Sequence, residues 1–85
     1  MNTNSLKVAE KAKAGVNMIK EAILEYLREH PNGVSNAEIV RDLKLESDFE
    51  GENHNYLSWS VIGLLVNEGK IRYERRGRSR FYFLK

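Results

Sequence analysis

Cysteine is absent from this chain of 85 residues, and proline occurs once. The lack of cysteine excludes disulfide bonds, thiolate metal ligands and cysteine nucleophiles, and it fits the reducing cytoplasm, where we expect the protein. Long apolar runs are missing too, because none approaches the roughly 20 residues that cross a bilayer. The polar start MNTNS is unlike a signal peptide. The sequence therefore predicts one small soluble domain with no membrane partner.

Groups that catalyse reactions are also scarce. His30 and His54 have no partner at metal-ligand spacing, and the chain has neither a glycine-rich phosphate loop nor a Ser-His-Asp arrangement. The Asp…Glu-x-Lys pattern of many nucleases is matched by residue type at Asp48 and Glu68-Gly69-Lys70. The match is weak evidence of a nuclease, because Gly69 is better explained as the residue that ends a helix. We expect no enzyme, no catalytic residue, no metal and no cofactor.

Charge is unevenly distributed along the chain. Residues 1–55 carry seven Lys and Arg against ten Asp and Glu, whereas residues 56–85 carry seven against two. Basic charge gathered in one third of a domain indicates a polyanionic partner, although a solvated basic surface is an equally simple explanation.

Apolar residues recur at helical spacing over residues 16–30, and His30-Pro31-Asn32-Gly33 ends that helix. Ala9 and Ala12 fall on the same face as Val16, so the helix can begin earlier. We expect residues 1–15 to be a helical extension or a linker and residues 16–85 to be the domain. The Ala9 and Ala12 face is a candidate dimer arm.

A second, short helix is predicted from Ser35 to about Lys44. Ser35-Asn36-Ala37-Glu38 is a capping box, in which Ser35 caps the amide of Glu38 while Glu38 reaches back. Val34 and Ile39 form the matching hydrophobic staple, and a short strand is expected near Val34. A longer polar and acidic turn follows.

A third helix is predicted from His54 or Asn55 to Glu68, with Gly69 as its stop. We expect its core face to be Leu57, Val61, Leu64 and Leu65, with Trp59, Ile62 and Val66 on a flank. The remaining arc is polar but uncharged: Asn53, Tyr56, Ser60, Gly63 and Asn67. Solvated helix faces usually carry charges, so this arc is a candidate contact surface.

The chain closes with two alternating strands joined by an arginine-rich tip. The pattern predicts that Arg76-Gly77-Arg78 makes the turn and that Arg72 and Tyr82 face outward. The inward set is then Ile71, Tyr73, Phe81 and Phe83. The arginines at the tip can bind phosphates or enter a minor groove. If the four tip arginines and one or both of Lys70 and Arg72 bind phosphates, the logarithm of the DNA-binding constant should fall with the logarithm of the salt concentration at a slope of roughly −4 to −5.

These patterns together predict an α+β winged helix-turn-helix domain, with three helices and a C-terminal two-stranded hairpin, that binds double-stranded DNA. The candidate contacts of the recognition helix are Asn53, Asn55, Tyr56, Trp59, Ser60 and Gly63. The candidate contacts of the wing and backbone are Arg72, Arg75, Arg76, Arg78, Arg80, Ser35 and Asn36. Simpler explanations remain open: Asn53 or Asn55 as a helix cap, Trp59 in the core, and Arg80 paired with Glu74.

The capped short helix, the segment GENHNYLSWSVIGLLVNEGKI and the arginine hairpin resemble winged-helix DNA-binding domains over residues 16–85. The chain also resembles the accessory winged-helix domains of Mrr-type restriction systems. The residues that match their pattern are Trp59, Gly69 and Arg75-Arg76-Gly77. That resemblance implies a helix that reads DNA and a wing that holds its backbone. The chain departs from it because it contains no nuclease domain, so we expect either a module of a larger parent protein with a nuclease or effector domain, or a freestanding relative. The rival hypotheses are a protein-interaction module centred on Trp59, Ile62 and Val66, and a small homodimeric transcription regulator.

Overall fold

The computed structural model describes residues 3–49, 52–53 and 55–85. Its elements are α1 (Thr3–Arg28), α2 (Asn36–Leu43), β1 (Asp48–Phe49), β2 (Glu52–Asn53), α3 (Tyr56–Asn67), β3 (Ile71–Arg76) and β4 (Ser79–Leu84). β1 pairs with β2, and β3 pairs with β4, both antiparallel. The predicted fold class is confirmed: this is an α+β winged-helix domain of three helices and a C-terminal hairpin.

α1 is longer than the part of it that reaches the core. Its 26 residues span about 39 Å, and Gly15 does not interrupt it. Ile23 and Leu27 are buried, whereas the side chains of residues 7–15, including Ala9 and Ala12, are exposed. Residues 3–15 are thus the first half of a continuous helix. In the part of the chain that the structure describes, no helix has the length and apolarity of a membrane span.

α2 is held at both ends by the residues that the sequence indicates. Ser35 Oγ accepts a hydrogen bond from the Glu38 amide at 3.2 Å. The Glu38 carboxylate accepts from Ser35 Oγ at 3.3 Å, so it contacts the side chain of the capping serine. Lys44 follows the helix in the left-handed conformation, with φ of 57°. The capped short helix is therefore confirmed, with its last residue at Leu43.

The expected polar turn contains the short β1–β2 hairpin, which delays the third helix. Because α3 begins at Tyr56, Asn53 lies in β2 and not on the helix, contrary to the prediction. Asn55 occupies the N-cap position, but its side chain makes no capping hydrogen bond. Instead, Ser47 Oγ accepts from the Leu57 amide at 3.3 Å, so the turn itself caps α3.

The end of α3 confirms Gly69 as the stop. Gly69 has a φ of +74°, which favours glycine. Its amide donates to the Val66 carbonyl at 3.0 Å, and the Lys70 amide donates to the Leu65 carbonyl at 3.1 Å. This pair of bonds is a Schellman motif, which satisfies two carbonyls that a helix end leaves unpaired.

The buried face of α3 differs from the predicted one. Val61 and Leu65 are buried as expected, but Leu57 and Leu64 are 42% and 43% exposed. Two further residues complete the core face. Ile62 was expected on a flank of the helix, and Ser58 was not expected in the core. The prediction failed because α3 carries its own apolar residues on all sides. Their spacing therefore does not identify one side of the helix as the buried face.

The register of the β3–β4 hairpin reverses the predicted faces of β4. Arg76 pairs with Ser79, which leaves a two-residue loop, Gly77-Arg78, and places Tyr82 opposite Tyr73. Residues opposite each other share a face, so Tyr82 lies on the core side and is 3% exposed. The predicted three-residue turn would shift the pairing by one residue and move every side chain of β4 to the other face.

The opposite side of the hairpin carries Phe81 and Phe83, and the loop after α1 covers Phe83, which is buried. A Cβ at Gly33 would lie 2.5 Å from Phe83 Cζ, so this loop passes closer than any side chain allows. Val34 and Tyr82 exchange hydrogen bonds of 3.2 and 2.7 Å. The expected strand near Val34 is this single antiparallel bridge.

Candidate nucleic-acid interface

The hairpin has a front face, which turns towards α3 and carries Tyr73, Arg75, Arg80 and Tyr82. Arg78 lies in the loop at its tip. In residues 3–49, 52–53 and 55–85, Arg75, Arg78 and Arg80 have no carboxylate partner. The Arg80 guanidinium carbon lies 4.7 Å from the centre of the Tyr73 ring, and this cation–π contact leaves its positive charge unneutralised.

The back face carries Arg72, Glu74, Arg76, Phe81 and Phe83. Glu74 forms ion pairs with Arg72 at 2.9 Å and with Arg76 at 3.6 Å. The alternative pairing of Arg80 with Glu74 is therefore wrong, since those two residues lie on opposite faces.

Both back-face arginines also cover aromatic rings. The Arg72 guanidinium carbon lies 4.4 Å from the Phe83 ring centre, and that of Arg76 lies 4.7 Å from the Phe81 ring centre. Arg76 additionally donates to the Asn32 carbonyl at 3.4 Å, which ties the hairpin to the loop after α1. These two arginines thus combine aromatic contacts with a carboxylate partner, which Arg75 and Arg80 on the front face lack within the described residues.

Two hollows connect the front face with the helices. The α3–hairpin hollow has a volume of about 500 Å³ and is bordered by Trp59, Ser60, Gly63, Tyr73 and Arg80. The α2–hairpin hollow has about 370 Å³ and is bordered by Ser35, Asn36, Trp59, Arg78 and Arg80. Trp59 and Arg80 border both, so α3, the start of α2 and the tip of the hairpin form one continuous surface.

The side of α3 that faces this surface is uncharged and strongly apolar. Tyr56 and Trp59 are 58% and 57% exposed, so the alternative placement of Trp59 in the core is wrong. Ser60, Gly63 and Asn67 are exposed beside them. Leu57 and Leu64 add further exposed apolar area.

The start of α2 is fastened to α3 by a residue that sequence reasoning missed. Ser58 is fully buried, and its Oγ lies 2.8 Å from Asn36 Oδ1 and 3.1 Å from the Asn55 carbonyl oxygen. The Asn36 side chain is therefore engaged within the protein. The backbone amides of Asn36 and Ala37, which the helix's own hydrogen bonds do not use, are the groups that α2 offers to an anion. The spacing could have predicted this burial, because Ser58 precedes Val61 and Ile62 by three and four residues and so lies on the same face of the helix.

The structure thus brings most predicted site residues together. Those that border the two hollows are Ser35, Asn36, Trp59, Ser60, Gly63, Arg78 and Arg80. Arg75 shares their face, and Tyr56 is exposed on the first turn of α3. Four predicted residues lie elsewhere: Asn53 in β2, Asn55 before α3 with a buried Oδ1 that has no hydrogen-bond partner, and Arg72 and Arg76 on the back face.

The acidic groups with shifted pKa values lie outside both hollows. Hydrogen bonds from Arg41 and Tyr26 lower the pKa of Asp42 to about 2, and burial together with Asp42 raises the pKa of Tyr26 to about 12. Lys20 approaches Glu68 to 2.7 Å and lowers the pKa of that carboxyl. These contacts join α1 to α2 and to the end of α3, so they stabilise the helical frame behind the surface.

A comparison with known proteins identifies a similar fold. No family model matches the chain, and no curated protein matches it. A solved structure of HOP2, described as giving insight into DNA recognition and protein interaction domains and into homologous DNA pairing, is similar with a TM-score of 0.61 and 25% identity. The match covers 79% of this chain and 98% of that chain. The comparison supports a winged-helix fold of the DNA-binding kind, whereas the link to Mrr-type restriction systems stays a prediction.

Proposed function

We propose that this protein binds duplex DNA without catalysing a reaction. One observation carries the proposal: Arg75, Arg78 and Arg80, which have no carboxylate partner among the described residues, share a face with the exposed side of α3. A winged helix with such a face can hold phosphates by its hairpin while its third helix enters the major groove. The similarity to HOP2, a protein described by its DNA recognition, supports the same function.

Each part of the surface has a role that follows from its chemistry. Arg75, Arg78 and Arg80 bind phosphates or the minor groove, and the first amides of α2 bind another phosphate. Ser60 and Tyr56 approach base edges, and Gly63 permits the backbone of α3 to come close. Asn53 and Asn55 precede α3, so their predicted contacts fall at its N-terminal end. The DNA contacts of Arg72 and Arg76 stay a prediction from the sequence and are not part of this proposal, because Glu74 and two aromatic rings contact these side chains.

Fluorescence anisotropy of a labelled duplex, titrated at several salt concentrations, tests the proposal. Three phosphate contacts predict a log K against log salt slope of about −3. This is shallower than the slope expected from the sequence, because the back-face arginines no longer contribute. Absent binding at low ionic strength, or binding that salt leaves unchanged, would contradict the proposal.

A second candidate function is the binding of another protein, and the exposed apolar side chains of Leu57, Trp59 and Leu64 favour it. The double substitution of Arg78 and Arg80 by Ala separates the two functions. It abolishes most DNA affinity but leaves an apolar protein interface on α3 intact. Roles in restriction or transcription, a cytoplasmic location, a homodimer and a parent protein with an effector domain remain predictions from the sequence.

A further inference from the structure

Aromatic side chains border the α3–hairpin hollow together with hydrogen-bonding groups. Trp59 and Tyr73 border it and are 57% and 42% exposed. Its volume of about 500 Å³ lies within the range of about 300–1,000 Å³ that holds small organic ligands. The hollow is therefore large enough for a flat aromatic group to enter.

A fully paired duplex leaves the aromatic part of this lining unused. Stacked base pairs present only their edges in the grooves, and edges are recognised by side chains such as Arg, Asn and Gln. The polar side chains that border the hollow are Ser60, Asn67, Tyr73, Arg80 and Tyr82. Of the edge-reading types just named, only Asn67 and Arg80 are present, and Arg80 is already stacked on Tyr73. Trp59 instead offers a flat apolar face, which suits the face of a base that has left the stack.

Charge favours a nucleotide over an apolar peptide as the occupant. In the described part of the chain, no carboxylate borders either hollow, whereas Arg78 and Arg80 border the α2–hairpin hollow next to Trp59. A base at Trp59 would thus have cationic groups and the first amides of α2 beside it, where its flanking phosphates lie. An apolar peptide would leave these arginines without a partner.

We propose that the α3–hairpin hollow binds one unpaired base of DNA, stacked on Trp59, while Arg78 and Arg80 hold the adjoining phosphates. The inference rests on the proposed DNA binding and names its preferred substrate: a duplex that contains an unpaired base. Stacking of one base on an aromatic side chain is worth about 1–3 kcal/mol, so the preference over a paired duplex is about 5- to 150-fold.

Three DNA ligands of one sequence test the preference by anisotropy: a paired duplex, the same duplex with one extra base, and that bulged duplex with an abasic site in place of the extra base. We expect the bulged duplex to bind at least fivefold more tightly than the other two. The abasic ligand is the control for backbone shape, because it bends as a bulge does but has no base to stack.

Trp59 is the single tryptophan of the chain, so its fluorescence reports on the hollow directly. We expect the bulged duplex to quench it and the abasic ligand to change it little. Trp59→Ala should remove the preference and Trp59→Phe should keep most of it. Leu57→Ala is the matched control, because Leu57 is an exposed residue of α3 that borders neither hollow.

The outcomes separate this inference from the proposed function. Equal affinity for all three ligands would overturn the stacked base and leave duplex binding in place. Equal affinity for the bulged and abasic ligands, or a preference that survives Trp59→Ala, would also overturn it. Binding of the bulged duplex alone would support the stacked base and contradict duplex binding. The absence of any binding would overturn both.

Discussion

The front and back faces of the hairpin carry the same residue type in different surroundings. Arg72 and Arg76 on the back face lie against Phe83 and Phe81 and share the carboxylate of Glu74. Arg75 and Arg80 on the front face have no carboxylate partner in the described part of the chain. The back-face arginines therefore shield apolar rings, whereas the front-face arginines keep charge that an external anion can neutralise.

The comparison shows that a count of arginines overstates a binding surface. Five arginines occur between Arg72 and Arg80, and two of them belong to the internal structure. Arg72 and Arg76 keep half of their side-chain surface exposed, but the carboxylate of Glu74 already neutralises part of their charge. Each therefore gains less from a phosphate than an arginine that has no carboxylate partner.

The largest expected effect comes from removing the front-face charges. Replacement of Arg75, Arg78 and Arg80 by Gln should lower duplex affinity by about a hundredfold or more at 0.1 M salt, because three counterion-releasing contacts are lost. The salt slope should rise from about −3 towards zero. Anisotropy titrations at four salt concentrations measure both quantities.

The matched control is the double substitution of Arg72 and Arg76 by Gln on the back face. It removes nearly as much charge but should leave the salt slope of the folded protein unchanged, while it lowers stability. If both variants reduced the slope equally, the two faces would not differ in function.

The next effect concerns the close packing behind the back face. Gly33→Ala should destabilise the fold by about 2–4 kcal/mol, because its φ is +91° and the new Cβ would meet the buried ring of Phe83. Urea denaturation measures the loss. Gly15→Ala is the control, since a Cβ added at Gly15 in α1 would contact nothing within 4 Å outside its own stretch of helix, and a gain of about 0.5–1 kcal/mol is expected there. Similar effects of the two substitutions would show that the loop does not approach Phe83.

A smaller effect is expected at the contact that positions the front surface. Ser58→Ala removes the hydroxyl that donates to Asn36 Oδ1 and should cost about 1–3 kcal/mol. This bond holds the start of α2 beside α3. If α2 contributes a phosphate contact, duplex affinity should fall more than in the control Leu57→Ala, at an exposed residue of α3 that borders neither hollow. Denaturation and anisotropy of the same two variants give the answer.

The smallest expected effect is the loss of folding stability at acid pH through Asp42, which joins α2 to α1. The pKa of Asp42 is lowered to about 2, chiefly by Arg41, so its stabilising contribution is complete above about pH 4 and is lost as the pH falls towards 2. Asp42→Asn should flatten the loss of stability over that window. Denaturation at pH 7, 4 and 2.5 checks this, and an unchanged pH profile would place the acid-sensitive contacts elsewhere.

Local signals allowed much of this structure to be predicted. The cap at Ser35, the stop at Gly69 and the bridge at Val34 each depend on a few neighbouring residues, and each was read correctly. The prediction that a basic hairpin follows the third helix also needed only the order of residues. Such features are determined within one or two turns of chain, where backbone sterics and hydrogen bonding dominate.

Features that depend on partners distant in sequence were not predicted. The buried face of α3 was placed wrongly because apolar residues surround that helix, and only its packing on α1 and α2 selects Ser58 and Ile62. The β1–β2 hairpin, which moves Asn53 off the helix, also escaped prediction, because two-residue strands in a polar turn have no periodicity to detect.

The order of residues by itself determined that three helices precede an arginine-rich hairpin, because capping, periodicity and turn chemistry are local. Tertiary structure alone decided which arginines face α3. A loop of two residues instead of three places Tyr82 on the core side and sends Phe81 and Phe83 to the back face with Arg72 and Arg76. A register shift of one residue exchanges the faces of a strand, and only packing against the helices selects between the two registers.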